Sequence, residues 1–150
     1  LTGKALVAFL MQTVQIAVVL ALGALIFGYR PTGSLVALAV VLLSFSAVLS
    51  ALGVALALWS RSRDAALSLS NIIGMLAAGI GGSFSTVSSF PDWAQHAARL
   101  SPAYWAITAI HEVSLDGASL SDVGTRIGVL WGFFAVIAGL ALIQFRYHRE

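Results

Sequence analysis

The chain contains no cysteine, only three prolines and very little charge. Acidic and basic side chains make up 9% of its 150 residues. The absence of cysteine excludes disulfides and thiol catalysis. The shortage of charge excludes an ordinary soluble domain, since such domains carry about a quarter charged residues. The eight lysines and arginines form no cluster, so the net charge of +2 does not indicate nucleic-acid binding.

Four long apolar segments dominate what is present. They cover residues 5–28, 35–59, 65–82 and 123–145. At about 1.5 Å rise per residue, each has roughly the length needed to cross a bilayer as a helix. We therefore predict an all-α, polytopic membrane protein whose residues 1–150 form a single transmembrane domain. Asp64 and Asp122 occupy the positions expected of N-caps for the third and fourth spans.

Residues 91–115, between the third and fourth spans, show a different pattern. Two short helices are predicted here, each too short to cross a bilayer. Ser101 followed by Pro102 is typical of an N-cap and a first helical position. Tyr104 and Trp105 suit a membrane interface. We interpret the segment as an outer re-entrant or interfacial helical pair, with an ordinary surface loop as the alternative.

The distribution of charge predicts the orientation. Four spans place both ends of the chain and the loop between the second and third spans on one side. The basic residues of that side are Lys4, Arg61, Arg63, Arg146 and Arg149. Most of the acidic residues fall on the other side. The positive-inside rule makes the basic side cytoplasmic. We expect an integral protein of the plasma (inner) membrane with both ends of this fragment in the cytoplasm.

Catalysis has little support in the sequence. His111 and Glu112 begin like a zinc-protease motif, but position 115 is leucine where a second histidine is needed. No His, Asp or Glu cluster has metal-ligand spacing, and no nucleophile elbow is present. We predict no catalytic residue and no metal. An integral membrane enzyme acting on a lipid-borne substrate, using His111, Glu112 and Asp116, is the alternative. A structural membrane subunit is a further one.

Uncharged polar side chains inside the spans are candidates for a substrate path. Gln12 and Gln15 share one face of the first span, and Asn71 lies at a similar depth in the third. Met75, one turn beyond Asn71, adds an adaptable apolar surface. We predict that these residues line the path. Hydrogen bonding between helices is the alternative role.

Small residues recur at every fourth position in two spans. One ridge comprises Ser70, Gly74, Ala78 and Gly82, and the other Gly124, Gly128 and Gly132. Such ridges allow helices to approach closely, so we predict helix packing there, with a moving seam as the alternative.

Arg126 is the one charged residue inside the fourth span, where charge is costly. Asp122 precedes it by four residues, the favourable order for an ion pair on a helix. We expect a structural pair between these two side chains, with a substrate contact as the alternative.

Several motifs together resemble the ABC-2 permease family, the membrane subunits of type-2 ABC transporters. They are Gly3-Lys4 before the first span, Trp59-Ser60-Arg61-Ser62-Arg63, Gly81-Gly82-Ser83-Phe84, Phe90-Pro91-Asp92-Trp93 and Leu100-Ser101-Pro102-Ala103-Tyr104-Trp105. Their order also matches that family: two spans, a basic loop, a span, a re-entrant pair and a last span.

The resemblance implies the transmembrane permease subunit of an ABC exporter. Members carry six spans, so the first two would lie upstream of Leu1. The substrate would be hydrophobic or amphipathic: a drug, as in multidrug efflux, a lipid or a polysaccharide-like molecule. The chain lacks the Walker phosphate loop. ATP and Mg would therefore bind to a partner, the ABC ATP-binding subunit. Further partners would be a second permease copy or paralogue in a dimer, and membrane lipid.

Lys4, Arg61 and Arg63 are the residues that we predict to couple the permease to its ATPase. They carry positive charge on the predicted cytoplasmic face, where such a subunit would dock. The alternative is that each is only a positive-inside anchor.

Overall fold

The computed structural model describes residues 2–28, 30 and 32–147 and is built from α-helices. They are α1 (Thr2–Phe27), α2 (Leu35–Trp59), α3 (Arg63–Ile80), α4 (Asp92–Ala98), α5 (Pro102–Leu115) and α6 (Gly124–Tyr147). A short 3-10 turn, Val87–Ser89, precedes α4. No β-strand occurs in the described residues, and the predicted all-α class is confirmed.

Three helices among the described residues are long and apolar enough to cross a membrane. These stretches are Leu6–Ile26, Leu35–Trp59 and Gly124–Arg146. The third predicted span corresponds to α3, which has 18 residues and is not among them. Arg63 and Asp64 in its first turn and Asn71 near its centre make it more polar than the others. The four-span count is therefore not confirmed.

The bundle is organised around α2, which packs against α1, α3, α5 and α6. At one level, Val41 of α2 meets Ala109 and Val113 of α5. At a second level, Val48 of α2 packs with Leu130 of α6 and with α5. Ala109 at the first level and Ala106 at the second are small enough to let α5 approach its neighbours closely. Close approach supplies van der Waals packing, which matters where apolar lipid offers no hydrophobic driving force.

Helix α1 packs against α2 and otherwise exposes its side chains. None of its most apolar stretch is buried, and Leu25 is 82% exposed. A helix that is apolar around its whole circumference requires an apolar environment on every side. Lipid or further protein helices must therefore surround α1.

The two N-caps expected from aspartates are wrong. Ser62 caps α3, its hydroxyl accepting from the Ala65 N–H at 3.1 Å, and Asp64 lies inside the first turn. The Asp122 carboxylate accepts from the Ser119 N–H at 2.8 Å and from its hydroxyl at 2.7 Å. These hydrogen bonds lower the pKa of Asp122. Asp122 thus closes the loop before α6.

Candidate functional site

Helix α5 is inserted among α2, α3 and α6. Ala106, Ala109 and Val113 are fully buried, and their spacing of three and four residues places them on one helical face. The Ser101 N-cap and the Pro102 start are confirmed. The predicted pair of short helices is present as α4 and α5, so the surface-loop alternative is wrong. The depth of α4 and α5 relative to a bilayer stays a prediction.

The start of α5 is bonded to the end of α3. The Ser101 hydroxyl accepts from the Ala103 N–H at 3.3 Å and donates to the Ala77 carbonyl of α3 at 2.9 Å. Gly81 permits this approach, since a Cβ there would lie 2.8 Å from Ala103 Cβ and 2.9 Å from the Tyr104 nitrogen. No larger residue fits at position 81 without separating the two helices.

The end of α5 is bonded to the loop between α1 and α2. The last carbonyls of a helix lack partners within it, and this loop supplies donors. The Thr32 N–H donates to the Ser114 carbonyl at 3.2 Å, and the Thr32 hydroxyl donates to the same oxygen at 3.0 Å. The Gly33 N–H donates to the Val113 carbonyl at 2.9 Å. The loop therefore caps α5 from a distant part of the chain.

An ion pair joins α5 to the first turn of α6. Arg126 Nε donates to Glu112 Oε2 at 2.6 Å, and Nη2 donates to Oε1, the two-pronged geometry typical of arginine and a carboxylate. The side chains are 26% and 28% exposed. The guanidinium's hydrogen bonds hold the pKa of Glu112 below its usual value. The expected Asp122–Arg126 pair is wrong, because Asp122 is engaged by Ser119.

We call these attachments the α5 clasp: the Ser101–Ala77 bond, the loop bonds of Thr32 and Gly33, and the Glu112–Arg126 pair. The clasp weakens the catalytic alternative, because a carboxylate bound to arginine with a lowered pKa is a poor general base. His111 and Asp116 are exposed. Within the part of the chain that the structure describes, no group of three or more metal-ligating side chains forms.

A cleft of about 440 Å³ lies beside the clasp. Residues 82–86, with their serine and threonine side chains, form one wall, and Ile107, Ile110 and His111 of α5 form the other. Gly82 has φ of 93°, and a Cβ there would lie 2.8 Å from a Val87 methyl carbon. The turn after α3 itself therefore requires glycine at position 82.

The predicted path residues lie on the periphery of the bundle. Gln15, Asn71 and Met75 are exposed, and Gln12 is partly buried. None of them lines the cleft beside the clasp or the larger cavity between α1, α2 and α6. A path along these side chains would need a further wall from outside this chain, and the assignment stays a prediction.

Apart from Gly82, the glycines of the predicted ridges are open to their surroundings. A Cβ built on any of four of them meets no neighbouring atom of the chain within 4 Å. These positions are Gly74, Gly124, Gly128 and Gly132. Ser70 and Ala78 are partly buried. Close packing at the open glycines would therefore involve a helix from elsewhere, and the role of both ridges stays a prediction.

The predicted coupling residues lie at the end of the bundle opposite the clasp. Lys4 is in the first turn of α1, and Arg61 and Arg63 flank the start of α3, all exposed. Arg146, also exposed, lies in the last turn of α6 at the same end. Arg149 lies outside the described residues. The structure thus places Lys4, Arg61, Arg63 and Arg146 at one end of the bundle. The coupling role of the first three stays a prediction.

A second cavity, of about 610 Å³, opens near that basic end between α1, α2 and α6. We call it the α1–α2–α6 groove. Its walls include Phe9 of α1, Val54 of α2, and Trp131 and Phe145 of α6. Ser50 also lines it, but the hydroxyl oxygen of Ser50 is itself covered. The groove therefore presents mainly carbon.

Comparison with known proteins identifies a family. A family model described as "ABC-2 family transporter protein" matches residues 1–143. No curated protein and no solved structure gives a significant match to the chain.

Proposed function

Because this chain belongs to the ABC-2 transporter family, we propose that it forms the membrane permease part of an ATP-driven exporter. The observation that carries the proposal is the family match over residues 1–143, in a chain with three membrane-length apolar helices. ATP and Mg would bind to a separate ATP-binding subunit or domain. The substrate would be hydrophobic or amphipathic, and the protein would work in the plasma membrane.

The exposed path residues favour a passage shared between two permease copies. Gln15 on α1 and Asn71 and Met75 on α3 face away from the core of this chain. The open glycines of α3 and α6 offer a second chain close approach. ATP binding and hydrolysis would shift the paired permeases between inward-open and outward-open states. Within each copy, the clasp would make α2, α3, α5 and α6 move together.

We further infer that α3 also crosses the membrane, as the third of four spans. Its 18 residues extend about 27 Å, close to the thickness of the hydrocarbon core. Arg63 at its start lies at the basic end of the bundle, whereas Ala77 and Gly81 at its other end belong to the clasp region. If the basic end and the clasp end lie on opposite sides of the bilayer, α3 must cross its hydrocarbon core, because it connects these two ends.

Single cysteines at Ser62 and Ser89, in a cysteine-free background, test this topology. We expect an impermeant maleimide to label position 89 in intact cells and to label position 62 only after permeabilisation. Labelling of position 62 but not 89 would overturn the orientation. Labelling of both positions from outside would contradict α3 as a span.

Coupling to the ATPase is tested by reversing charge at the basic end. The double variant Arg61→Glu, Arg63→Glu is expected to reduce export driven by ATP about tenfold, equivalent to about 1.4 kcal/mol of lost coupling. The measurements are export and ATP hydrolysis by the assembled transporter in vesicles. Cysteine labelling verifies that insertion is unchanged.

The matched control reverses two exposed arginines at the clasp end, Arg30→Glu and Arg99→Glu. We expect this control to keep its export rate. Unchanged export by correctly inserted Arg61→Glu, Arg63→Glu protein would show that these arginines are only topological anchors.

A further inference from the structure

The α1–α2–α6 groove has the length of one lipid leaflet. Along α6 it extends from Trp131 to Phe145, and along α2 from Leu43 to Val54. These stretches measure roughly 21 Å and 17 Å at the rise of an α-helix. Half of the hydrocarbon core of a bilayer measures about 15 Å. An extended hydrocarbon chain of one leaflet therefore matches the groove in length.

The groove also has the surface chemistry of a hydrocarbon site. Ala51 of α2 and Ala138 of α6 have small side chains and so leave the space between the helices open. The rings of Phe9, Trp131 and Phe134 also line the groove. Few polar groups reach it, so a ligand with many hydrogen-bonding groups would lose its water partners without replacement. A saturated or unsaturated hydrocarbon chain incurs no such cost.

Positive charge stands at the end of the groove nearest the basic end of the bundle. Lys4 precedes the lining residue Leu6 by two positions, and Arg146 follows the lining residue Phe145. Both cations are exposed. Helices α1, α2 and α6 contain no acidic residue within their bounds. Asp64, at the same end, belongs to α3, which does not line the groove. Cations placed there attract an anionic lipid headgroup.

We propose that the α1–α2–α6 groove holds one acyl chain of a resident anionic phospholipid, whose phosphate lies beside Lys4 and Arg146. This lipid is a bound component of the protein and is distinct from the transported molecule. The proposal goes beyond the transport function and requires only that the protein lie in a membrane.

Native mass spectrometry of the full chain, released from mild detergent containing phosphatidylglycerol, measures the bound lipid. Ala138→Phe fills the groove, whereas Ala135→Phe places the same side chain at an exposed position of α6 that does not line it. We expect Ala138→Phe to lower lipid affinity about tenfold, as when about two methylenes are excluded, and Ala135→Phe to retain wild-type affinity. Ala51→Phe, which fills the groove from α2, repeats the test if Ala138→Phe misfolds.

The headgroup position is tested by Lys4→Gln with Arg146→Gln. This variant is expected to lose most of the preference for phosphatidylglycerol over phosphatidylcholine while still binding a lipid. Arg61→Gln with Arg63→Gln, at the same end but away from the groove, is expected to keep that preference.

Three results would overturn the proposal. The first is undiminished lipid binding in both groove-filling variants. The second is equal loss in Ala138→Phe and Ala135→Phe. The third is a changed oligomeric state in Ala138→Phe with lipid binding unchanged, which would identify the groove as a contact between protein chains. None of these outcomes depends on ATP or transport, so the failure of this proposal is distinguishable from failure of the transport function.

Discussion

Replacing Gly33 with alanine is expected to lower the free energy of unfolding by about 3 kcal/mol. A Cβ at position 33 would lie 2.5 Å from the Val113 carbonyl oxygen and 2.6 Å from that of Ala118. Both are backbone atoms, so the loop between α1 and α2 must move away. The hydrogen bonds of Thr32 and Gly33 to the end of α5 would then break, at about 1 kcal/mol each.

Thermal and denaturant unfolding in micelles, followed by tryptophan fluorescence, measures this effect. Gly53→Ala is the matched control, since a Cβ at Gly53 of α2 meets no neighbouring atom within 4 Å. We expect the control to unfold like the wild type or slightly later, because alanine favours helix. If Gly33→Ala and Gly53→Ala unfold alike, the loop does not hold α5 as described.

Replacing Glu112 with glutamine is expected to cost about 2 kcal/mol, the lower part of the range for hydrogen bonds to charged groups. The change removes the counter-charge of Arg126, whose side chain is only 26% exposed in the structure. The value is discounted because solvent reaches both side chains. A double-mutant cycle with Arg126→Gln isolates the pair, and its coupling energy should account for most of the single-variant effect.

Asp122→Asn is the contrasting variant in this experiment. It removes the carboxylate that sequence spacing assigns to Arg126, but in the structure that group bonds Ser119 and is exposed. We expect it to destabilise less than Glu112→Gln. Coupling of Arg126 to Asp122 rather than to Glu112 would contradict the geometry of the clasp.

The Glu112–Arg126 pair also sets a dependence on pH. Because the folded-state pKa of Glu112 is lowered, its contribution is fully present above the ordinary glutamate pKa of about 4.3. It is lost as the pH falls through the lower folded-state value. The stability difference between wild type and Glu112→Gln should therefore be constant near neutral pH and shrink in acid below about pH 4. If the stability difference between wild type and Glu112→Gln grew as the pH fell, the lowered pKa of Glu112 would be contradicted.

The long apolar helices could be predicted because the length of an uninterrupted apolar segment is enough to indicate them. The predicted segment 35–59 coincides with α2, and 123–145 differs from α6 by one or two residues at each end. The third predicted span, 65–82, corresponds to α3, which has membrane length but carries charged residues in its first turn and is not among the three most apolar helices. Ser101 and Pro102 located the start of α5 because capping is a local interaction.

The clasp could not be predicted, because its partners lie far apart in sequence. Arg126 signalled the need for an acidic partner, and local spacing offered Asp122. The structure supplies Glu112, brought close by the packing of α5 against α6. The lining of the α1–α2–α6 groove gave no signal either. The sequence of an apolar helix does not show whether its alanine and phenylalanine side chains border a cavity or fill one.

The clasp also has a consequence for the order in which the protein is made. Thr32 and its acceptor Ser114 are separated by 82 residues. At a ribosomal rate of about 5–20 residues per second, the loop between α1 and α2 emerges roughly 4–16 s before the carbonyls that it will bond. Throughout that interval the hydrogen bonds that join Thr32 and Gly33 to the end of α5 cannot form. The final shape of the first loop is therefore imposed late in synthesis, when α5 arrives.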